Sequence, residues 1–285
     1  MENRQQNPLQ KYFRQPKIYV RLPSSGNFYP PGSLEKSETG EYPVYSMTAK
    51  DEIIIKTPDA LLNGQATVDV IQSCVPNIKD AWKIPSIDLD ALLVAIRIAT
   101  YGESLDVTTL LPNTQETRTY ETDLRTVLDR LLNATFDPEV KINNDLTVLL
   151  RPLTYHEFTK NNIRTVEEQR IIRIVNDEKM EEDEKLTRFA ESFRKLTEVT
   201  IGMISQGIEK IVTPDGDVSD PLFIQEFVNN SDKNTLTAII EHLDSQRKKF
   251  AIEPFKVQTT EEEQALGAPT EFEVPITLDS SNFFV

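Results

Sequence analysis

The segment SIDLDALLVAIRIATYG, Ser86–Gly102, decides the fold. Leu89, Leu92, Leu93, Ile96, Ile98 and Ala99 recur at three- and four-residue steps and form a wide apolar stripe on one helix. Ser86 stands where an N-cap is expected, and Tyr101-Gly102 closes the element. Asp88 and Asp90 fall at the helix start, where carboxylates complement the dipole, and that role accounts for them better than a cation site does. The surrounding block Tyr42–Glu103 reads as a compact bundle of short helices. Thr48 caps one helix, Thr57-Pro58 opens another that Asn63-Gly64 stops, and Gln65–Ser73 places Val68, Ile71 and Val75 on one face before Pro76.

On the amino-terminal side, residues 1–16 read as a polar tail and Lys17–Arg21 as a short strand. Pro23, Gly26, Pro30, Pro31 and Gly32 then impose turns, and Glu41–Met47 is expected to pair with the strand. On the carboxy-terminal side, Thr108–Thr122 alternates around Pro112-Asn113 as a hairpin, and Asp123–Leu132 is a short helix. Glu139–Pro152 forms a second hairpin turning at Asn143-Asn144-Asp145. Thr154 caps a long helix expected to reach Lys179. A second long helix then runs through Leu186, Phe189, Phe193, Leu196, Val199, Ile201, Ile204 and Ile208. Asp215-Gly216 turns the chain, Asp220-Pro221 opens a helix to Val228, and Ser231-Asp232 opens the last one to Lys248. These four helices are expected to make a carboxy-terminal helical module. Glu271–Thr277 reads as a strand ahead of an aromatic tail. The fold class is therefore α+β and predominantly α, with small β-hairpins. Four segments are expected: an arm at 1–47, a helical block with two hairpins at 48–153, a helical module at 154–250, and a strand and tail at 251–285.

A chain of 285 residues with 38% hydrophobic and 27% charged residues can bury a real core. Its longest apolar run is far short of a membrane span, and the amino terminus has no apolar core, so neither a span nor a secretory signal is expected. A net charge of −15 argues against phosphate-backbone binding. The charge is uneven, however: Arg4, Lys11, Arg14, Lys17 and Arg21 stand against Glu2 alone in residues 1–21. Such a segment either docks on an acidic surface or is simply a solvated terminus. The single cysteine, Cys74, excludes an internal disulfide and reads as a small buried hydrophobe.

Catalytic constellations are missing from the sequence. His156 and His242 have no partner at a telling spacing. No phosphate-cradling loop, nucleophile elbow or zinc-protease motif occurs, and neither a cofactor nor a metal is expected. Asp177–Glu184 is a dense acidic turn without the glycine and ligand order of a calcium loop. Aromatic residues instead gather at the ends. Tyr12, Phe13, Tyr19, Phe28 and Tyr29, with Arg14 among them, lie early, and Phe283 and Phe284 lie last. These eight are the candidate partner-binding residues. For the last two, packing back on the chain's own domain is the open alternative.

The strings KTPDALLNG (Lys56–Gly64), IQSCVPNIKDAW (Ile71–Trp82) and IDLDALLVAIRIATYGE (Ile87–Glu103) resemble the baseplate hub proteins of T4-type contractile-tailed bacteriophages. The likeness extends to IYVRLPSSGNFYPPGSL (Ile18–Leu34) and ITLDSSNFF (Ile276–Phe284). The resemblance implies a structural or assembly component of the hub, in the virion tail, assembled in the host cytoplasm and acting by binding. Other hub, spike or tape-measure proteins are its implied partners, homo-oligomerisation remains possible, and nucleic acid is not among them. A transient assembly chaperone and, further off, a tail-associated peptidoglycan hydrolase are the alternatives. Relatives carry zinc-ribbon cysteine pairs at places matching Leu111–Thr114 and Gln258–Gln264, and both places lack cysteine here. The resemblance thus implies two metal-free hairpins of ribbon shape, held by Tyr120, Phe272, Val274 and Ile276.

Overall fold

In the computed structural model, residues 9, 12–57, 64–175, 182–277 and 283–284 are described, with side chains at all but 170–175, 182 and 183. The helix expected from Pro58, most of the acidic turn from Asp177, and residues 1–8 fall outside them. Helix at 47% and strand at 21% put the chain in the expected α+β, mostly helical class.

Strand β1 (Pro16–Arg21) pairs antiparallel with β2 (Glu41–Tyr45). Helix α1 (Ala49–Ile55) begins with a capping box, in which Thr48 accepts from Asp51 N–H and Asp51 accepts from Thr48 N–H. Helix α2 (Gln65–Cys74) follows Gly64, whose φ of +80° and close cover by Tyr155 and Trp82 leave no room for a side chain. A 3-10 turn at Ala81–Lys83 leads to α3 (Ser86–Tyr101). Buried residues lie all round α3, so it is an internal axis rather than a surface helix. The expected Ser86 cap is displaced by one residue: Pro85 holds the N-cap, and Ser86 N–H donates to Leu153 O at 2.7 Å. At the other end, the buried Arg97 donates to the carbonyls of Gly102 and Ser104 and lies over the Tyr101 ring.

Strands β3 (Ser104–Leu110) and β4 (Thr117–Asp123) form the first expected hairpin, and α4 (Leu124–Asn133) starts on an Asp123 N-cap. Strands β5 (Glu139–Lys141) and β6 (Thr147–Leu150) form the second. Helix α5 (Tyr155–Val175) starts from a Thr154–Glu157 capping box, and α6 (Glu182–Gln206) returns alongside it.

The four-helix module needs correction. Residues Ile208–Thr213 do not extend α6 but form strand β7, hairpinned with β8 (Gly216–Val218). Gly207 takes the last helical bonds, to Met203 and Ile204, and the β-branched Ile208, Ile211 and Val212 then favour a strand. Strand β7 pairs with β6, giving a four-stranded antiparallel sheet in the order β5-β6-β7-β8. That sheet draws strands from both sides of position 153, where a segment boundary was expected. Helices α7 (Pro221–Asn230) and α8 (Lys233–Lys249), with Asp220 and Asp232 as N-caps, lie in the segments where they were expected.

Two hydrophobic cores result. One surrounds α3 and takes in Val20, Val44, Ile71, Leu128, Phe283 and Phe284. The other joins the sheet to α6, α7 and α8 through Val148, Leu150, Ile204, Ile211, Ile224 and Ile239. Strand β9 (Phe255–Gln258), the short α9 (Glu261–Ala265) and β10 (Glu271–Val274) complete the chain.

The β3–β4 and β9–β10 hairpins lie against each other. Tyr120 meets Phe272 edge to face at 5.6 Å, and its hydroxyl donates to Glu263 at 3.0 Å. Asn113, at φ +63°, donates to Gly267 O at 3.4 Å, while Leu111, Val274 and Ile276 are buried. The contact between the two hairpins consists of this aromatic pair, a capping box at Thr260–Glu263 and aliphatic packing. Phe272→Ala is expected to destabilise the protein by about 1–3 kcal/mol in urea denaturation, while EDTA leaves the wild-type Tm unchanged. A fall in Tm with chelator would contradict this account of the hairpin pair.

Candidate interaction surface

The amino-terminal residues form a surface with one deep anchor. Arg14 donates to Ser46 O, to Ser73 O and to Ser73 Oγ, and lies 3.5 Å from the buried Asp51 carboxylate. Its guanidinium also faces the Tyr45 ring at 5.7 Å. With these contacts Arg14 ties the arm to the α1–α2 corner instead of presenting its charge outward. Tyr12, Phe13 and Tyr19 are exposed by 73%, 56% and 61% around this anchor. Lys17 and Arg21 are exposed beside Tyr19, and Arg21 reaches Glu41 at 3.4 Å.

The turns after β1 are held from inside. Asp88 is fully buried and accepts from Ser24 N–H at 2.7 Å, from Ser24 Oγ–H, and from Tyr29 Oη–H at 3.0 Å. It does not serve as a helix-start cap. Burial pushes its carboxyl up to about 6, against the pull of the three donors, and pushes the Tyr29 hydroxyl upward too. The Tyr29 hydroxyl therefore faces inward, onto Asp88. Phe28 is forced outward to 37% exposure at φ +65°, a region that bulky residues rarely adopt. Its ring packs edge-on against Phe136 at 5.6 Å.

Phe283 and Phe284 are buried in the α3 core, and Tyr101 Oη donates to Phe284 O at 3.2 Å. Of the two open readings of the tail, packing back is the one seen for these two residues. Cys74 is buried as expected, and burial pushes its thiol up to about 12, which removes it as a nucleophile. His156 lies edge-on to Trp82, and His242 bonds the Asp137 carbonyl at 2.8 Å.

The sequence did not reveal a cleft of about 730 Å³ between the two cores. Ile87, Leu89, Phe136, Phe158, Ile204 and Phe250 form its apolar walls. Arg151 at its edge is held in a fork by Glu157. Asp90 faces this space, accepts the Ile252 N–H, and is pushed by burial up to about 6. The cleft is assembled from four helix ends distant in sequence, so no local pattern could have marked it. Among the described residues, no group of three or more His, Cys, Asp or Glu could hold a metal ion. Nor is any helix among them long and apolar enough to cross a membrane.

Asp88 and Asp90 give stability an unusual pH slope. Their folded values lie above the ordinary 3.8, so between those values the folded state binds more protons than the unfolded one. Stability therefore rises as pH falls from 7 through about 6, and it falls again once Glu157 and Asp232, held below their ordinary values, protonate. Asp90→Asn is expected to raise Tm at neutral pH and to flatten the slope between about pH 7 and pH 5, a change on the order of 1–2 kcal/mol. Urea titrations across this range check it, and an unaltered slope in the variant would contradict the assignment.

A family model for the T4 bacteriophage base plate protein matches residues 16–267, which takes in the sheet core, most of the α3 core and the β3–β4 hairpin, and ends ahead of β10. Comparison with curated proteins and with solved structures finds no match. The matched region includes the whole α3 axis, the clasped turns and the exposed β1 strand. The chain belongs to the T4 bacteriophage base plate protein family.

Proposed function

We propose that this protein is a structural subunit of the central hub of a contractile phage tail baseplate and acts by binding its neighbours. The observation that carries this reading is the family match across residues 16–267. An exposed basic and aromatic surface, anchored by Arg14, is the kind of feature that interfaces use. Tyr12, Phe13, Tyr19 and Phe28 are the residues that meet partners. Arg14 and Tyr29 shape that surface from beneath, and Phe283 and Phe284 serve the fold. The partners are other tail proteins, with the protein resident in the virion tail.

A transient hub-assembly chaperone is the second reading, favoured by the open apolar cleft, which could hold a partner segment during assembly. A hydrolase reading would need two placed carboxyl groups, and Asp88 is committed on both oxygens to Ser24 and Tyr29.

Mass spectrometry of purified virions, counted against a tail protein of known copy number, separates these readings. A low fixed stoichiometry supports the resident subunit. Presence only in tail-assembly intermediates supports the chaperone. Absence from both overturns the proposal. Tyr12→Ala/Phe13→Ala/Tyr19→Ala is expected to lower incorporation into tails at least about tenfold while leaving Tm within a few degrees, because all three side chains are exposed.

A further inference from the structure

We infer that the outer edge of β1 is a strand-addition site for an extended acidic polypeptide segment. This deepens the proposed subunit role by naming the chemistry of one partner, and its test does not depend on where the protein resides.

The argument begins with Pro43. The β1–β2 register sets Tyr19 opposite Pro43, with Ile18 opposite Val44 and Val20 opposite Tyr42. Proline has no N–H, so the Tyr19–Pro43 pair cannot exchange both ladder bonds. The bonded pairs are then those of Ile18 and Val20, and the alternation turns the peptide groups of Tyr19 and Arg21 away from β2, while Lys17 lies in a register shift between Pro16 and Ile18. The sheet has two strands, and among the described residues no strand pairs with that side of β1. The β2 strand loses a donor through Pro43 on its own far side, which blunts that edge. On β1, Pro16 and the register shift beside it blunt only the start of the strand, and no described strand covers the stretch from Ile18 to Arg21 on that side.

The side chains along this edge select the occupant. Val20 is buried beneath the sheet, while Lys17, Tyr19 and Arg21 alternate with the buried face and share the exposed one. A strand added here would bring every second side chain over Lys17 and Arg21. Glu41 is the carboxylate that shares this face, and its contact with Arg21 is an exposed one that contributes little. The edge therefore favours carboxylates in alternation, with an aromatic platform at Tyr19 between them. The rest of the chain is strongly acidic, which makes this one of the few places where an acidic neighbour is drawn in.

The test uses a fluorescein-labelled octapeptide of alternating glutamate and valine, and a control of the same composition with the glutamates in one block. Anisotropy reads binding, and hydrogen exchange reads the Tyr19 amide. The alternating peptide is expected to bind at least about tenfold more tightly than the control and to slow exchange at Tyr19. Lys17→Glu/Arg21→Glu, both at exposed positions, is expected to weaken binding at least about tenfold with Tm retained. Equal binding of the two peptides would overturn the inference, because the site would then be a charged patch alone. So would binding that leaves Tyr19 exchange unchanged, no binding at all, or displacement by a single-stranded oligonucleotide of equal charge.

Discussion

The amino-terminal half of this protein depends on one buried carboxylate. Asp88 sits on the first turn of an internal helix, and its oxygens gather the Ser24 N–H, the Ser24 hydroxyl and the Tyr29 hydroxyl. A buried charge is costly unless its hydrogen bonds are made, so the turns from Leu22 to Tyr29 are fixed by the need to satisfy it. Those turns leave β1 and set its direction. They also push Phe28 into a left-handed conformation with its ring turned outward. Tyr29 and Phe28, adjacent in sequence, thus differ in burial because the Tyr29 hydroxyl is required inside.

A second buried carboxylate repeats the pattern. Asp51 closes the α1 capping box, accepts the Ser73 hydroxyl and faces the Arg14 guanidinium. Arg14 consequently holds the arm against the body, and the aromatic residues on either side of it are left at the surface. The exposed surface of the arm is therefore a by-product of two internal polar clasps. In this chain buried charges are held by hydrogen bonds, and the exposed ones of the arm stay in solvent.

Much of the fold was legible in the sequence. The apolar steps of Ser86–Tyr101, the capping residues Thr48, Thr154, Asp220 and Asp232, and both mid-chain hairpins came from local rules about periodicity, caps and turns. Where those rules failed, contacts between distant segments decided the outcome. Ile208–Thr213 continues the spacing of the helix before it, yet Gly207 breaks the helix and β6 offers an open edge. The role of Asp88 was hidden because a carboxylate in a first turn normally has a sufficient explanation there. The apolar surroundings of IDLDALLVAIRIAT were the available sign that this helix is buried on every side. The cleft between the cores left no mark at all, since its walls come from segments more than a hundred residues apart.

The hairpin pair and the clasped turns are both held by packing and hydrogen bonding between segments distant in sequence. Native-state hydrogen exchange resolved to single amides tests the central claim most directly. The account predicts that the Ser24 amide, although in a turn, exchanges as slowly as the amides of α3, because it is released only when the helix core opens. Exchange of Ser24 at the rate of an exposed turn, with α3 still protected, would contradict the claim that Asp88 fixes the amino-terminal surface.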